Sequence, residues 1–196
     1  MRLHRFTASQ FLPMALDDAW RFFSDPANLP RITPPSLNLK PTSPLPPAMH
    51  PGLIITYTVA ALPGIRSEWV TEITHVVEGS LFVDEQRSGP YRFWHHQHHF
   101  RAVPGGTEMR DIIHYAVPFG ILGDAVAART VRGKVEGIFS YRRRELERRF
   151  GTSPLPEDAA YADSRPGSTM TGRPQARTTR SAVEPKNSSF GPACEP

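Results

Sequence analysis

Cysteine is nearly absent: the single thiol, Cys194, stands close to the C-terminal end. One cysteine excludes an internal disulfide and a thiolate metal cage, and redox chemistry through sulfur is not expected. Long apolar runs are missing too. No stretch approaches the ~18 apolar residues of a membrane-spanning helix. The opening MRLHRFTASQFLPMALDDAW alternates and then carries charge, so it lacks the apolar core of a secretory signal. A cytoplasmic protein without stable membrane insertion is expected. Phosphate-cradling loops are also lacking, because neither Gly105-Gly106 nor Gly120-x-x-Gly123 follows the strand, Gly-rich turn, helix arrangement. No cofactor is expected.

What is present suits one domain of ordinary core size with an appendage. The net charge of +4 belongs to residues 1–150, which hold 18 basic and 14 acidic side chains. Much of the excess lies in YRRRELERRF, where Arg142, Arg143, Arg144, Arg148 and Arg149 read as the solvated end of a helix. Contact with nucleic acid or a membrane surface through these arginines is a further alternative. It lacks interleaved aromatics and a recognised motif, so no nucleic-acid partner is expected.

Along the chain, Leu3 to Leu12 reads as a strand and Asp17 to Ser24 as a short helix with Asp17 at its N-cap. DPANLPRITPP allows a second short helical turn. Eight prolines between Pro30 and Pro51 leave room for one brief edge strand at Leu37 to Lys40. Five strand-like runs follow: Leu53 to Ala60, Ser67 to Val77, Leu81 to Ser88, Tyr91 to Ala102 and Thr107 to Val117. The breaks between them are short, which implies an antiparallel meander. Leu62-Pro63-Gly64-Ile65 marks a tight turn at one rim, and Pro118-Phe119-Gly120 a bend into the last element. There the period changes to that of one long helix, carrying Leu122, Ala125, Val126, Val131, Val135, Ile138, Phe139, Arg142, Leu146 and Phe150. Gly133 and Gly137 inside it imply close approach to the sheet or a ligand, since each costs about 1 kcal/mol relative to Ala. Residues 151–196 are rich in Pro, Ser, Thr and Arg and poor in large apolar side chains, and are expected to be a disordered tail.

The expected class is α+β: a curved seven-stranded antiparallel sheet wrapped around a long C-terminal helix, with two short helices after the first strand. Over roughly Leu3 to Phe150 the sequence resembles the SRPBCC superfamily of START-like and polyketide-cyclase domains, whose fold is the helix grip. FFSDPANLPRITPP, FVDEQRSGPYRFWHHQHHF, GGTEMRDIIHYAVPFG and FSYR carry the likeness. These motifs resemble a bacterial ligand-binding subgroup whose members are in part labelled cyclase/dehydrase. The resemblance implies a domain at 1–150 that holds a small molecule between sheet and helix, and the tail at 151–196 falls outside it.

The residues point to where such a site lies. Four histidines fall in five positions, His95, His96, His98 and His99, but successive side chains of a strand face opposite ways. Closing the hairpin around Val103 to Gly106 sets Trp94 against Tyr115, His96 against Ile113, His98 against Asp111 and Phe100 against Met109, all on the concave face. Counting from Glu78-Gly79 sets Ile73 near Asp84, Thr71 near Gln86 and Trp69 near Ser88. The candidate ligand-binding set is Trp69, Phe82, Asp84, Gln86, Trp94, His96, His98, Asp111, Tyr115 and Phe139, a mostly apolar lining with a few convergent polar groups.

The expected partner is a hydrophobic or amphipathic small molecule: a lipid, polyketide, isoprenoid or aromatic metabolite. The alternative is a cyclase or dehydratase in which His98, oriented by Asp111, acts as base or acid while Tyr115, Gln86 or His96 polarises a carbonyl. The same groups also serve as internal pairs, His98 with Asp111 and Gln86 with Asp84, that only shape the sheet. On the outer face His95, His99 and His114 read as a solvated strand surface able to capture Zn²⁺ or Ni²⁺ adventitiously. No physiological metal site is expected.

Overall fold

Seven strands form a single antiparallel sheet in the order β1-β7-β6-β5-β4-β3-β2. They are β1 His4–Leu12, β2 Lys40–Pro41, β3 Leu53–Leu62, β4 Ile65–Val77, β5 Leu81–Ser88, β6 Phe93–Val103 and β7 Gly106–Ala116. Two helices complete the domain, α1 Leu16–Phe23 and the long α2 Gly120–Phe150, with 3-10 turns at Pro26–Ile32 and Pro35–Leu37. The computed structural model describes residues 2–62, 65–117 and 120–152, without the side chains of 61, 62, 65 and 120–128. The tail beyond Thr152, the turn at Pro63-Gly64, the bend at Pro118-Phe119 and the side chains of Leu122, Ala125 and Val126 lie outside the described residues.

Alternation is plainest on β6, where Trp94, His96, His98 and Phe100 are buried and the residues between them are only partly so. This is the period of a strand with one face on the core. The register with β7 pairs Trp94 with Tyr115, His96 with Ile113, His98 with Asp111 and Phe100 with Met109. Between β4 and β5 the register moves twice. Ile73 faces Asp84 and Thr71 faces Gln86, but Val70 rather than Trp69 faces Ser88, because an extra residue is accommodated between the Thr71 and Val70 pairs. Such bulges bend a strand and increase its twist, as a sheet that curves around a helix requires.

Helix α2 buries Val135, Phe139, Arg142 and Leu146, a stripe at spacings of three and four. Two clusters sit beneath it. Trp94, Ile113, Tyr115 and Val117 pack with Val135 and Phe139, while Leu12, Ala19, Phe23, Ile32, Phe82, Phe100 and Met109 pack with Leu146. A third cluster of Leu53, Ile55, Tyr57 and Ile73 covers β3 and β4.

Four expectations need correction. Ala15, not Asp17, is the N-cap of α1, and no side chain caps it; Asp17 and Asp18 occupy the first turn, where their charge suits the dipole. The brief edge strand lies at Lys40–Pro41 instead of Leu37 to Lys40, since Pro35–Leu37 closes as a 3-10 turn and Asn38 takes a left-handed conformation. Gly133 and Gly137 approach nothing: a Cβ at either position would meet no atom within 4 Å. Arg142 is not solvated but buried at 7% exposure.

Candidate functional site

Between the sheet and α2 lies a cavity of about 150 Å³. Ile55, Tyr57, Val59, Trp69, Thr71 and Ile73 line it from β3 and β4, and Phe82, Asp84, Trp94, His96 and His98 from β5 and β6. Val135, Ile138, Phe139 and Arg142 come down from α2, while Phe22, Asn28, Leu29, Leu37, Leu39 and Met49 close the side formed by α1 and the Pro-rich segment. Most of these side chains are apolar, and Asp84, His96, His98 and Arg142 gather at one wall.

That wall is built from two carboxylates and two imidazoles. His98 Nε2 donates to Asp84 Oδ2 at 2.8 Å, and His96 Nε2 donates to Asp111 Oδ1 at 2.9 Å. The remaining nitrogens complete a quartet. His96 Nδ1 lies 3.3 Å from Asp84 Oδ2 and His98 Nδ1 lies 3.0 Å from Asp111 Oδ1, the latter without the alignment of a hydrogen bond. The two imidazole centroids are 3.7 Å apart, and His98 also stacks on Phe82 at 4.1 Å. Arg142 approaches the quartet from α2, with Nη1 3.9 Å from Asp111 Oδ1 and its guanidinium 4.8 Å from the centre of the Phe139 ring.

Electrostatics follow from this packing. Burial opposes ionisation of Asp84, but the charge and hydrogen bonds of His96 and His98 outweigh it and hold the carboxyl well below the usual carboxylate range. Asp111 is held down in the same way, by the hydrogen bond from His96 and by the charge of His98 beside it. Burial pulls His96 down, yet Asp84 and Asp111 together raise it above the ordinary imidazole value. Facing the wall, Tyr57 is pushed up by burial and by the charge of Asp84, and burial, then Tyr115, pushes Tyr91 up to about 12. Both phenols are therefore neutral donors at physiological pH.

Of the residues singled out in the sequence, Trp69, Phe82, Asp84, Trp94, His96, His98 and Phe139 line the cavity. Three do not. Asp111 stands behind the imidazoles, and the aligned partner of His98 is Asp84, because the hydrogen bonds run diagonally across strands. Gln86 does not pair with Asp84: its amide donates to the Tyr91 carbonyl at 2.6 Å and accepts from the Tyr91 N–H at 3.2 Å, closing the turn after β5. Tyr115 shares the inner face but stacks on His4 at 5.3 Å within the packed cluster beside the cavity. Its place as the cavity's hydroxyls is taken by Tyr57 and Tyr91. Tyr57 belonged to an alternating apolar strand, so only its period marked it; Arg142 was marked by its position on the buried stripe of α2.

On the outer face His95 pairs across from His114 with ring centroids 6.3 Å apart. A chain of contacts links Glu85, His95, Gln97 and His99 at 2.9 to 3.1 Å. Of the arginines at the helix end, Arg143 donates to the Ser9 carbonyl on β1, and Arg148 and Arg149 pair with Glu145. Among the described residues no helix is long and apolar enough to cross a membrane.

Residues 12–139, more than half of the chain, match the family described as polyketide cyclase / dehydrase and lipid transport. No curated protein matches the chain in sequence. Solved structures share the fold at low identity. Ara h 8.0201 is 17% identical with a TM-score of 0.52, the match covering 74% of this chain and 98% of that one. Protein Ms6760 from Mycobacterium smegmatis is 20% identical with a TM-score of 0.55, over 76% and 95%. The Zhui aromatase/cyclase from Streptomyces sp. R1128 is 9% identical with a TM-score of 0.58, over 74% and 92%. The sheet, the helix it grips and the family match together establish that the chain belongs to the polyketide cyclase / dehydrase and lipid-transport family of the SRPBCC superfamily.

Proposed function

We propose that the domain binds a hydrophobic or amphipathic small molecule in the cavity between the sheet and α2. The observation that carries this reading is the division of the lining, with aromatic and aliphatic side chains over most of it and Asp84, His96, His98 and Arg142 gathered at one wall. An apolar body would sit against Trp69, Ile73 and Phe139, and a carbonyl or hydroxyl would meet the polar wall, Tyr57 or Tyr91. About 150 Å³ is room for roughly one aromatic ring. A lipid or polyketide needs more, and Leu39 and Met49, which come from loop segments, form the part of the lining most easily displaced. Native mass spectrometry of the full chain from its own host tests the reading. One small molecule bound per chain is expected, and a mass of protein alone, with no ligand found by screening, would overturn it.

A second reading, cyclisation or dehydration, is favoured by one observation: His98 and Asp84 are hydrogen-bonded and both line the cavity. His98 then acts as base or acid, with Asp84 as its aligned carboxylate partner, and Asp111 fixes the neighbouring His96 from behind. A general base contributes about 10² to 10⁴ in rate, so His98→Ala should abolish turnover of a cyclisable substrate while leaving its binding largely intact. Equal turnover in the variant would leave the binding module alone.

A further inference from the structure

We infer that Asp84, His96 and His98 form a binding site for a divalent first-row transition metal, set into the cavity wall with an open position toward the cavity. The ligand-type atoms of these three residues lie within 4.8 Å of one another. His96 Nδ1 and His98 Nε2 both converge on Asp84 Oδ2, at 3.3 and 2.8 Å. Two donors on one tetrahedral ion stand roughly 3.4 Å apart when each bond is about 2.1 Å, so small side-chain adjustments suffice to admit the ion.

The opposite edge of each ring supports the assignment. His96 directs its other nitrogen to Asp111 Oδ1 at 2.9 Å, and His98 brings its own to 3.0 Å from the same oxygen. A metal-bound histidine characteristically donates its second N–H to a carboxylate, which fixes the tautomer and the ring plane. Here one buried carboxylate stands behind both candidate ligands. It does not line the cavity, whereas the three ligands do.

Two features fit a cation between the ligands. With His98 Nε2 protonated toward Asp84, its Nδ1 is buried without a hydrogen-bond partner, and a buried orphan of this kind costs about 1 to 3 kcal/mol. Metal on Nε2 moves the proton to Nδ1, which already lies beside Asp111. His96 Nε2 donates to Asp111 while its Nδ1 stands 3.3 Å from Asp84 Oδ2, a contact that either a proton or a metal ion on Nδ1 makes favourable. Arg142 balances the charge of Asp111 from α2, which leaves Asp84 and two imidazoles for the ion. Two nitrogens and one carboxylate with a free position suit Zn²⁺ or Fe²⁺, not Mg²⁺ or Ca²⁺, which favour all-oxygen shells.

The inference does not rest on the small-molecule reading, and its test uses the metal alone. The full chain, stripped with chelator, is titrated with Zn²⁺ by calorimetry and with Co²⁺ by visible absorption. One tight Zn²⁺ per chain is expected, together with the d–d bands of Co²⁺ held by nitrogen and oxygen. Asp111→Asn should weaken affinity roughly 10–100-fold, the effect of losing an outer partner. Asp84→Asn should abolish stoichiometric binding, with circular dichroism confirming its fold. The double change His95→Ala, His114→Ala should leave the tight site unaltered. No stoichiometric ion on the folded wild type would overturn the inference and leave a proton on His96 as the cation beside Asp84. So would an ion that departs with the outer-face double change.

Discussion

Asp111 holds His96 from behind, so its replacement by Asn should move the titration of His96 to lower pH. The nearby carboxylate that favours the charged ring is lost while Asp84 remains. An NMR titration that leaves His96 unmoved would contradict the quartet. The same residues set a pH dependence of stability. The folded-state value of His96 is raised, so its contribution is full below the unfolded imidazole value near ~6.5 and is lost as pH rises through the folded one. Asp84 and Asp111 are lowered, so theirs is full above ~3.9 and is lost as pH falls through their folded values. The quartet should therefore stabilise most between about pH 4 and 6.5, and denaturant unfolding across pH checks this. A quartet contribution, isolated as wild type minus the Asp111→Asn variant, that grows from pH 6 to 8 would reverse the sign. At this scale the alternation of β6 and β7 made the inner face legible. The diagonal hydrogen bonds did not follow from it, because register fixes which Cα atoms face each other and not which rotamers meet. Gln86 shows the same limit, its amide being spent on the Tyr91 backbone.

Helix α2 carries two glycines that touch nothing. A Cβ at Gly133 or Gly137 meets no atom within 4 Å, so each Gly→Ala change should stabilise the domain by about 1 kcal/mol, the difference in helix propensity. A lower melting temperature in either variant would mean that the bare face is covered by something. Gly106 at the start of β7 behaves oppositely. Its Cβ would fall 2.2 Å from the Leu12 carbonyl and 2.8 Å from the Phe11 ring, and a backbone oxygen that accepts from the Met14 N–H at 2.8 Å cannot retreat cheaply. Gly106→Ala should destabilise by roughly 1–3 kcal/mol, read from the shift of the denaturant midpoint. The elements themselves were legible because strand and helix periods differ so clearly along the chain. The bulges in β4 and β5 were not, since no glycine or proline marks Thr74 or Arg87. The glycines of α2 misled because their cost suggested a contact that the helix does not make.

Among the described residues the sheet, the long helix and the Pro-rich segment enclose a cavity, and the family match spans its lining except Arg142. The residues after Thr152 add few large apolar side chains, so a chain ending there should melt within ~5 °C of the full one; a larger loss would show that the tail packs. Composition made the enclosure legible as a class of fold. It could not fix the cavity's extent, which depends on how far Tyr115 and its neighbours fill one end and how Met49 closes another. The central claim, that this cavity receives a small molecule, is tested most directly by a thermal-shift screen of the full chain against small aromatic, isoprenoid and lipid compounds, repeated with Val59→Phe to fill the lining. A ligand at a hundredfold excess over its Kd stabilises by about 2.7 kcal/mol, on the order of 5–10 °C for a domain of this size. The expected result is a saturable shift of that scale with at least one compound, lost or much reduced in Val59→Phe. No shift with any compound, or shifts identical in the filled variant, would contradict it.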